Sequence, residues 1–380
     1  MRHFLFALVL GVGLLLYCGD PGERAAEPRL VVIVESSLYD SLEESVAQYA
    51  EALRLEEFEI YVEPWEPGTV QELRRLVFDY IDTYRVEGAL LVGNLPAARY
   101  EQWAWGRHED FPTDLYLQDR HAQWIDQDHN GIYDWHTDDL HADIYTARLT
   151  GSVTQLRRYF ERVQHHRDVG PLVEPSAFIF IDDDWARTNT DDGLGLNDLY
   201  DDIEVIKDES ESTLENYLAR LTGDGAEFVY QKIHGGQEIL TFEHYGEDGE
   251  DLSETVTASR IASENLKVSF VNMTDCFSAD FTFEGSVAES YAVGTDYGLA
   301  VIGLTKEGLF RDPRVFHRNL SLGMSWGQAY RAWFNEVSTR YEQDSLGVVI
   351  LGDPLLTLSN PPPAAGVTDD QVAPHAGDFD

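Results

Sequence analysis

Cysteine and basic residues are scarce in this chain, and long apolar runs are almost absent. Only two cysteines occur in 380 residues, Cys18 and Cys276. Disulfide scaffolding and cysteine-rich zinc modules are therefore excluded. Lysine and arginine total 27 against 69 acidic residues, a formal charge of −42. Such a field repels a phosphate backbone and argues against nucleic-acid binding. It suits cationic substrates, divalent cations or solubility in a salty medium. The sole extended apolar run, Phe4 to Tyr17, is too short to span a bilayer comfortably and has the length of a signal-peptide core. With 43% hydrophobic residues and 12% aromatics, there is ample material for a packed core.

The N-terminus reads as a targeting segment. Arg2 and His3 precede the apolar run, and Gly19-Asp20-Pro21-Gly22 follow it. The end of the run, Leu15-Leu16-Tyr17-Cys18, resembles a bacterial lipoprotein signal. That resemblance implies lipidation of Cys18, membrane attachment and a cell-envelope location, periplasmic or on the outer surface; simple secretion is the alternative. Either way, processing at Cys18 leaves Cys276 as a lone thiol, either buried and inert or kept for its chemistry.

Residues 19–28 read as a tether. Thereafter short β-branched runs alternate with amphipathic stretches. Leu30–Val34, Glu57–Val62 and Gly88–Val92 predict strands. Ser41–Leu53, with Ser41 as N-cap, and Thr69–Tyr84 predict helices. A polar, aromatic stretch from Ala97 to His141 shows no period and reads as a functional insertion. Asp143–Leu149 returns to a strand and Val153–His166 to a helix. A second unit then begins, with strands at Ser176–Ile181, Asp202–Ile206, Glu227–Ile233, Val268–Asn272, Leu299–Gly303 and Val348–Leu351. Helices are expected at Ser212–Leu221 and Thr255–Asn265, and two more before Tyr341, where Trp326, Trp333 and Phe334 read as core. The pattern is that of two tandem α/β subdomains with mainly parallel sheets, residues 29–150 and 151–360. The Pro-, Ala- and Asp-rich residues 361–380 read as a disordered acidic tail.

His234 and Cys276 each follow a predicted buried strand, the edge at which sites form in open α/β sheets. Forty-two residues separate them, enough for two neighbouring parallel strands joined by a helix. A thiolate nucleophile needs an imidazole close in space, not in sequence. Gly235-Gly236 would allow close backbone approach to a developing oxyanion.

Strand-His-Gly followed by strand-Asp275-Cys276 resembles the clan CD cysteine peptidases, and further motifs resemble the gingipain family. These are Leu91-Val-Gly-Asn-Leu-Pro96, Thr113-Asp114-Leu115-Tyr116, Asp143-Ile-Tyr-Thr-Ala-Arg148-Leu149, Ser286-Val-Ala-Glu289, Ala300-Val-Ile-Gly303 and Leu351-Gly-Asp-Pro-Leu355. Phe277-Ser278-Ala279 stands where that family often carries a glycine. The resemblance implies a caspase-like α/β fold and an exported cysteine endopeptidase acting on protein or peptide substrates without an organic cofactor. It implies Cys276 as nucleophile, His234 as base and the N–H groups of Gly235 and Cys276 as oxyanion hole. Asp143, on the Asp-Ile-Tyr-Thr-Ala-Arg strand, is the candidate for orienting the imidazole. A calcium-stabilised binding module of the same fold without catalysis, and a transpeptidase using the same dyad, are the alternatives.

Asp126, Asp128, Asn130 and Asp134, with Gly131 at the sixth position, follow the first part of an EF-hand-type loop and predict Ca²⁺. Thr137 occupies the closing position, so Asp138 or Asp139 would complete the set. His121, His129, His136 and His141 lack zinc-type spacing. Asp182-Asp183-Asp184 ends a strand at the same sheet edge as the dyad. It reads as a solvated loop, or as a site for a cation or a basic side chain.

Overall fold

A computed structural model describes residues 28–137, 140–186, 193–208, 210–245 and 250–358. The expected export signal with Cys18, most of the expected tether, Asp138, Asp139 and the expected acidic tail lie outside the described residues.

Buried β-branched strands build the framework. β1 (Arg29–Glu35) alternates its side chains, sending Leu30, Val32 and Val34 into one core and Val31 and Ile33 into a second on the other face. Helix α1 (Ser36–Leu55) covers the first face with Leu42, Val46, Tyr49 and Leu53. Helix α2 (Val70–Tyr84) covers the second with Leu73, Val77 and Ile81. A capping box between Thr69 and Glu72 sets the start of α2. α1 begins five residues before the expected Ser41 cap, because β1 runs directly into it through Ser36–Asp40, where Leu38 and Tyr39 already pack against the core. The Ser41 carbonyl instead accepts from Arg157 Nε at 3.0 Å. Arg157 belongs to α4 (Val153–Val169), and this bond ties the two helices together.

The remaining strands are β2 (Glu59–Trp65), β3 (Gly88–Val92), β4 (Ala98–Ala104), β5 (Arg107–Thr113), β6 (Trp124–Ile125), β7 (Trp135–His136), β8 (Tyr145–Leu149), β9 (Ala177–Ile181), β10 (Ile203–Ile206), β11 (Ala226–Lys232), β12 (His234–Gly235), β13 (Ile239–Tyr245), β14 (Asp251–Thr257), β15 (Val268–Met273), β16 (Ala300–Leu304) and β17 (Val348–Gly352). Ten of them form one sheet in the order β10-β9-β11-β15-β16-β17-β8-β3-β1-β2. β10, β9, β11, β15 and β16 are mutually parallel, as are β17, β8, β3, β1 and β2. The two sets meet antiparallel at β16 and β17. The C-terminal ends of β11 and β15, where His234 and Cys276 follow, therefore lie side by side on one edge.

The 97–141 stretch folds into the hairpin β4–β5, the short helix α3 (Leu115–Gln118) and the pair β6–β7. A second hairpin, β13–β14, stands where no strand was expected. β14 is acidic and largely exposed, so it carries no apolar alternation. The helix expected from Thr255 accordingly starts at Ala258, capped by Thr257.

Three of the quoted motifs converge on one buried cation. Arg148 and Asp114 are both 1% exposed and pair at 2.6 Å, while Arg148 also donates to the Leu95 and Pro96 carbonyls. Its guanidinium lies 4.4 Å from the Phe281 ring centroid, which links the first half of the chain to the segment after Cys276. Asp353 of the Leu-Gly-Asp-Pro turn is a second buried node, accepting from Tyr49 Oη at 2.7 Å and Arg167 Nη2 at 2.9 Å. These motifs hold the sheet together rather than line the site.

Candidate active site

Asp275 brackets the two strand ends. It is fully buried; its Oδ1 accepts the Ile233 N–H at 2.8 Å and its Oδ2 accepts from Gln231 Nε2. Gln231 is held in turn by Tyr217 Oη at 2.6 Å. Burial raises the Asp275 carboxyl to about 8; donation from Gln231 and Ile233 opposes the rise and Asp182 adds to it.

The bracket brings His234-Gly235 against Asp275-Cys276. A Cβ built on Gly235 would lie 2.7 Å from the Cys276 carbonyl oxygen and 3.1 Å from the Cys276 nitrogen. Only a residue without a side chain permits this approach. Among the described residues, the Cys276 N–H makes no hydrogen bond, leaving a donor beside the thiol. Phe277 adopts a left-handed φ of +60°, in the place where the related family often has glycine. The strain is held by its N–H bond to the Lys306 carbonyl at 3.0 Å and by the Ser278 hydroxyl donating to the Asp275 carbonyl at 2.9 Å.

Cys276 is half-buried, with Sγ 4.0 Å from the Gly308 carbonyl oxygen. Burial pushes the thiol up, with Asp275 adding to the rise; Gly308, Lys306 and Arg107 pull it down without cancelling the rise. The resting group is a thiol and needs a base. Lys306 and Arg107 are themselves anchored, Lys306 on Glu109 at 2.8 Å and Arg107 on Glu307.

His234 has a partner that the sequence reading placed in a solvated loop. Its Nε2 lies 2.9 Å from Asp184 Oδ2 and 3.8 Å from Glu243 Oε2, and the Trp185 ring sits 4.5 Å from the imidazole centroid. Asp184 follows β9, the immediate neighbour of β11. With Nε2 engaged there, Nδ1 makes no hydrogen bond among the described residues. Asp143 is turned elsewhere. Its carboxylate accepts the Arg120 N–H at 2.9 Å and approaches His121 Nε2 at 3.5 Å. It leads into β8, four strand steps from β11, roughly 19 Å at the usual interstrand spacing. That distance takes it out of reach of His234, whose carboxylate partner is Asp184.

The acidic loop is held by its own side chains. Asp126 accepts from Asn130 N and Gly131 N at 3.2 and 2.9 Å, and Asn130 Oδ1 accepts from Ile132 N at 2.8 Å. Desolvation works against ionisation of Asp126, but the Gly131, His129 and Asn130 N–H groups outweigh it and hold the carboxyl below its usual range. Carboxylate oxygens of Asp128 and Asp134 gather with one from Glu101 on β4, all within 4.8 Å of one another. Glu101, distant in sequence, was not visible in the loop pattern; it also accepts from Asn130 Nδ2 at 2.7 Å.

Comparison with known proteins places this geometry. No curated protein matches the chain. Among solved structures, it is similar to the Saccharomyces cerevisiae separase–securin complex at 17% identity and a TM-score of 0.36. That likeness covers 55% of this chain and 14% of the matched one, so the chain spans about a seventh of the matched protein's length. A family model described as peptidase family C25 matches residues 24–359. The protein is a member of peptidase family C25, the gingipain family of caspase-like cysteine peptidases.

Proposed function

We propose that the chain is an endopeptidase that cleaves peptide bonds through a thioester on Cys276. The observation that carries this reading is the packing of Gly235 against the Cys276 backbone. The close approach of these two backbones supports His234 and Cys276 acting together at one point on the sheet edge. His234 Nδ1 takes the Cys276 proton as Sγ attacks the scissile carbonyl carbon. The N–H groups of Gly235 and Cys276 receive the oxyanion. Collapse breaks the C–N bond, and the leaving amine takes the proton from the imidazolium. Water, deprotonated by the same ring, then hydrolyses the thioester and restores the thiol. Asp184 keeps the ring proton on Nε2 throughout. A peptide library incubated with the wild-type chain should be cleaved at defined positions, and Cys276→Ala should abolish cleavage. Equal cleavage by that variant would refute the reading.

Calcium belongs to the proposal as a structural ion, held by Asp128, Asp134 and Glu101 with Asp126 and Asn130 shaping the loop. Asp126 accepts the Asn130 and Gly131 N–H groups and Asn130 Oδ1 accepts the Ile132 N–H, which supports a shaping role. Saturating Ca²⁺ should raise the melting temperature, by about 2.7 kcal/mol of stability at a hundredfold excess over Kd, and Glu101→Gln should reduce that gain. A melting curve indifferent to Ca²⁺ and EDTA would remove the ion. Export with lipidation of Cys18 also remains part of the proposal, supported by the apolar run that ends there. Cys18→Ser should release the protein from the membrane fraction; unchanged partitioning would discount the anchor.

A further inference from the structure

The nitrogen of His234 that faces Asp184 has a second carboxylate beside it, which hydrolysis does not require. Glu243 on β13 places Oε2 at 3.8 Å from Nε2, and one ligand atom from each of Asp184, His234 and Glu243 lies within 4.8 Å of the other two. Asp184 comes from the short helix Asp183–Ala186 that follows β9, whereas His234 and Glu243 stand on the paired strands β12 and β13. Their meeting is built rather than incidental to one loop. Asp182, fully buried, accepts the Glu243 N–H with both carboxylate oxygens, at 2.9 and 3.2 Å, and its own N–H donates to the Lys232 carbonyl at 3.0 Å. Trp185 packs along the imidazole. All three ligand side chains remain partly exposed, at 37 to 53%, so an ion can reach them.

Charge and donor chemistry decide what fits. A neutral imidazole has one Nε2–H, and Asp184 is at hydrogen-bond distance from it, so Glu243 contributes a second negative charge without a matching proton. A dication would neutralise both carboxylates. An imidazole nitrogen with two carboxylate oxygens suits Zn²⁺-like ions, whereas Ca²⁺ and Mg²⁺ prefer all-oxygen sets. We infer that Asp184, His234 and Glu243 form an inhibitory site for a borderline transition-metal dication such as Zn²⁺. The inhibitory half of this inference rests on His234 as the base; the metal site itself does not. The switch is tautomeric. The active ring carries its proton on Nε2 and offers the Nδ1 lone pair to Cys276. A metal on Nε2 puts the remaining ring proton on Nδ1, and the ring can no longer accept the thiol proton. Cys276 is not a ligand in this arrangement, which distinguishes it from ordinary capture of a thiolate by zinc.

The test uses the full chain carrying Cys276→Ala, saturated with Ca²⁺ to occupy the acidic loop, and titrated with Co²⁺ as a spectroscopic substitute for Zn²⁺. One equivalent should bind with visible ligand-field bands and should be displaced by Zn²⁺. Glu243→Ala and the milder Glu243→Gln should each weaken binding at least roughly tenfold, with melting curves confirming that both fold. In chains retaining Cys276, half-inhibition of peptide cleavage by Zn²⁺ should shift to at least about tenfold higher concentration in either Glu243 variant, each read against its own metal-free rate. Co²⁺ binding indifferent to Glu243, or present only when Cys276 is present, would overturn the inference. If no peptide is cleaved, the Co²⁺ titration still decides the metal site, and the missing activity counts against the endopeptidase reading alone.

Discussion

Gly235→Ala is the sharpest perturbation of the site, and Gly236→Ala is its built-in control. The new Cβ at 235 would sit 2.7 Å from the Cys276 carbonyl oxygen, 2.9 Å from Asp275 Cβ and 3.1 Å from the Cys276 nitrogen. Ordinary contact begins near 3.4 Å, so two backbone segments must part by about 0.7 Å. Backbone cannot yield as the tip of a flexible side chain does. Overpacking of this kind costs about 1–3 kcal/mol of stability. The same movement separates the imidazole and an oxyanion donor from the nucleophile. A misplacement near 1 Å costs on the order of a hundredfold in rate, about 2.7 kcal/mol in the barrier. A Cβ at 236 meets Ile239 Cγ1 at 3.4 Å and Ile239 O at 4.0 Å, which is ordinary contact. Steady-state cleavage of a peptide substrate and a melting curve on both variants would separate the two effects. The expectation is a roughly hundredfold loss in kcat for Gly235→Ala, a melting point lower by several degrees, and near wild-type values for Gly236→Ala. Equal behaviour of the two variants would refute the close approach.

Three further outcomes follow from the geometry. Asp184→Asn should lower kcat roughly tenfold to a hundredfold, the worth of about 1.5–3 kcal/mol for a hydrogen bond to a charged group, whereas Asp143→Asn should leave kcat close to wild type; the reverse order would restore Asp143 as the orienting acid. Arg148→Ala leaves Asp114 as an unpaired buried charge and should cost about 3–5 kcal/mol by denaturant unfolding; a loss under about 1 kcal/mol would show that the pair at the motif crossing is not structural. Because burial raises the Cys276 thiol, its thiolate forms only as pH climbs past the free-cysteine range of about 8.5. Iodoacetamide alkylation of the His234→Ala variant should therefore rise with pH to an inflection above that value, and an inflection below it would contradict the buried, base-dependent thiol.

Much of this architecture was legible because burial on both faces leaves a mark in sequence. Gly88–Val92 is an unbroken apolar run and Val268–Asn272 carries Val268, Phe270 and Val271, and the structure places strands on both. The hairpin β13–β14 was not legible, since one of its strands is acidic and exposed and takes its register from its partner. The joining of the two halves was also hidden. β17 enters between β16 and β8, a pairing set by tertiary contact that no local period encodes. At the site, Cys276 and His234 stood out because each follows a buried strand. The carboxylate partner of His234 did not, because three consecutive aspartates look alike in sequence. The structure divides two of their roles: Asp182 is buried and holds the Glu243 backbone, and Asp184 faces the imidazole. Only strand order, with β9 next to β11 and β8 four steps away, tells Asp184 from Asp143.

The most direct test of the central claim is covalent capture of the nucleophile. The purified chain would be treated with a peptidyl acyloxymethyl ketone and mapped by peptide mass spectrometry. The account predicts one adduct, on Cys276, formed with saturating kinetics and suppressed in His234→Ala although the thiol is still present. Labelling that is no faster than that of a free thiol, or equally fast without His234, would contradict it.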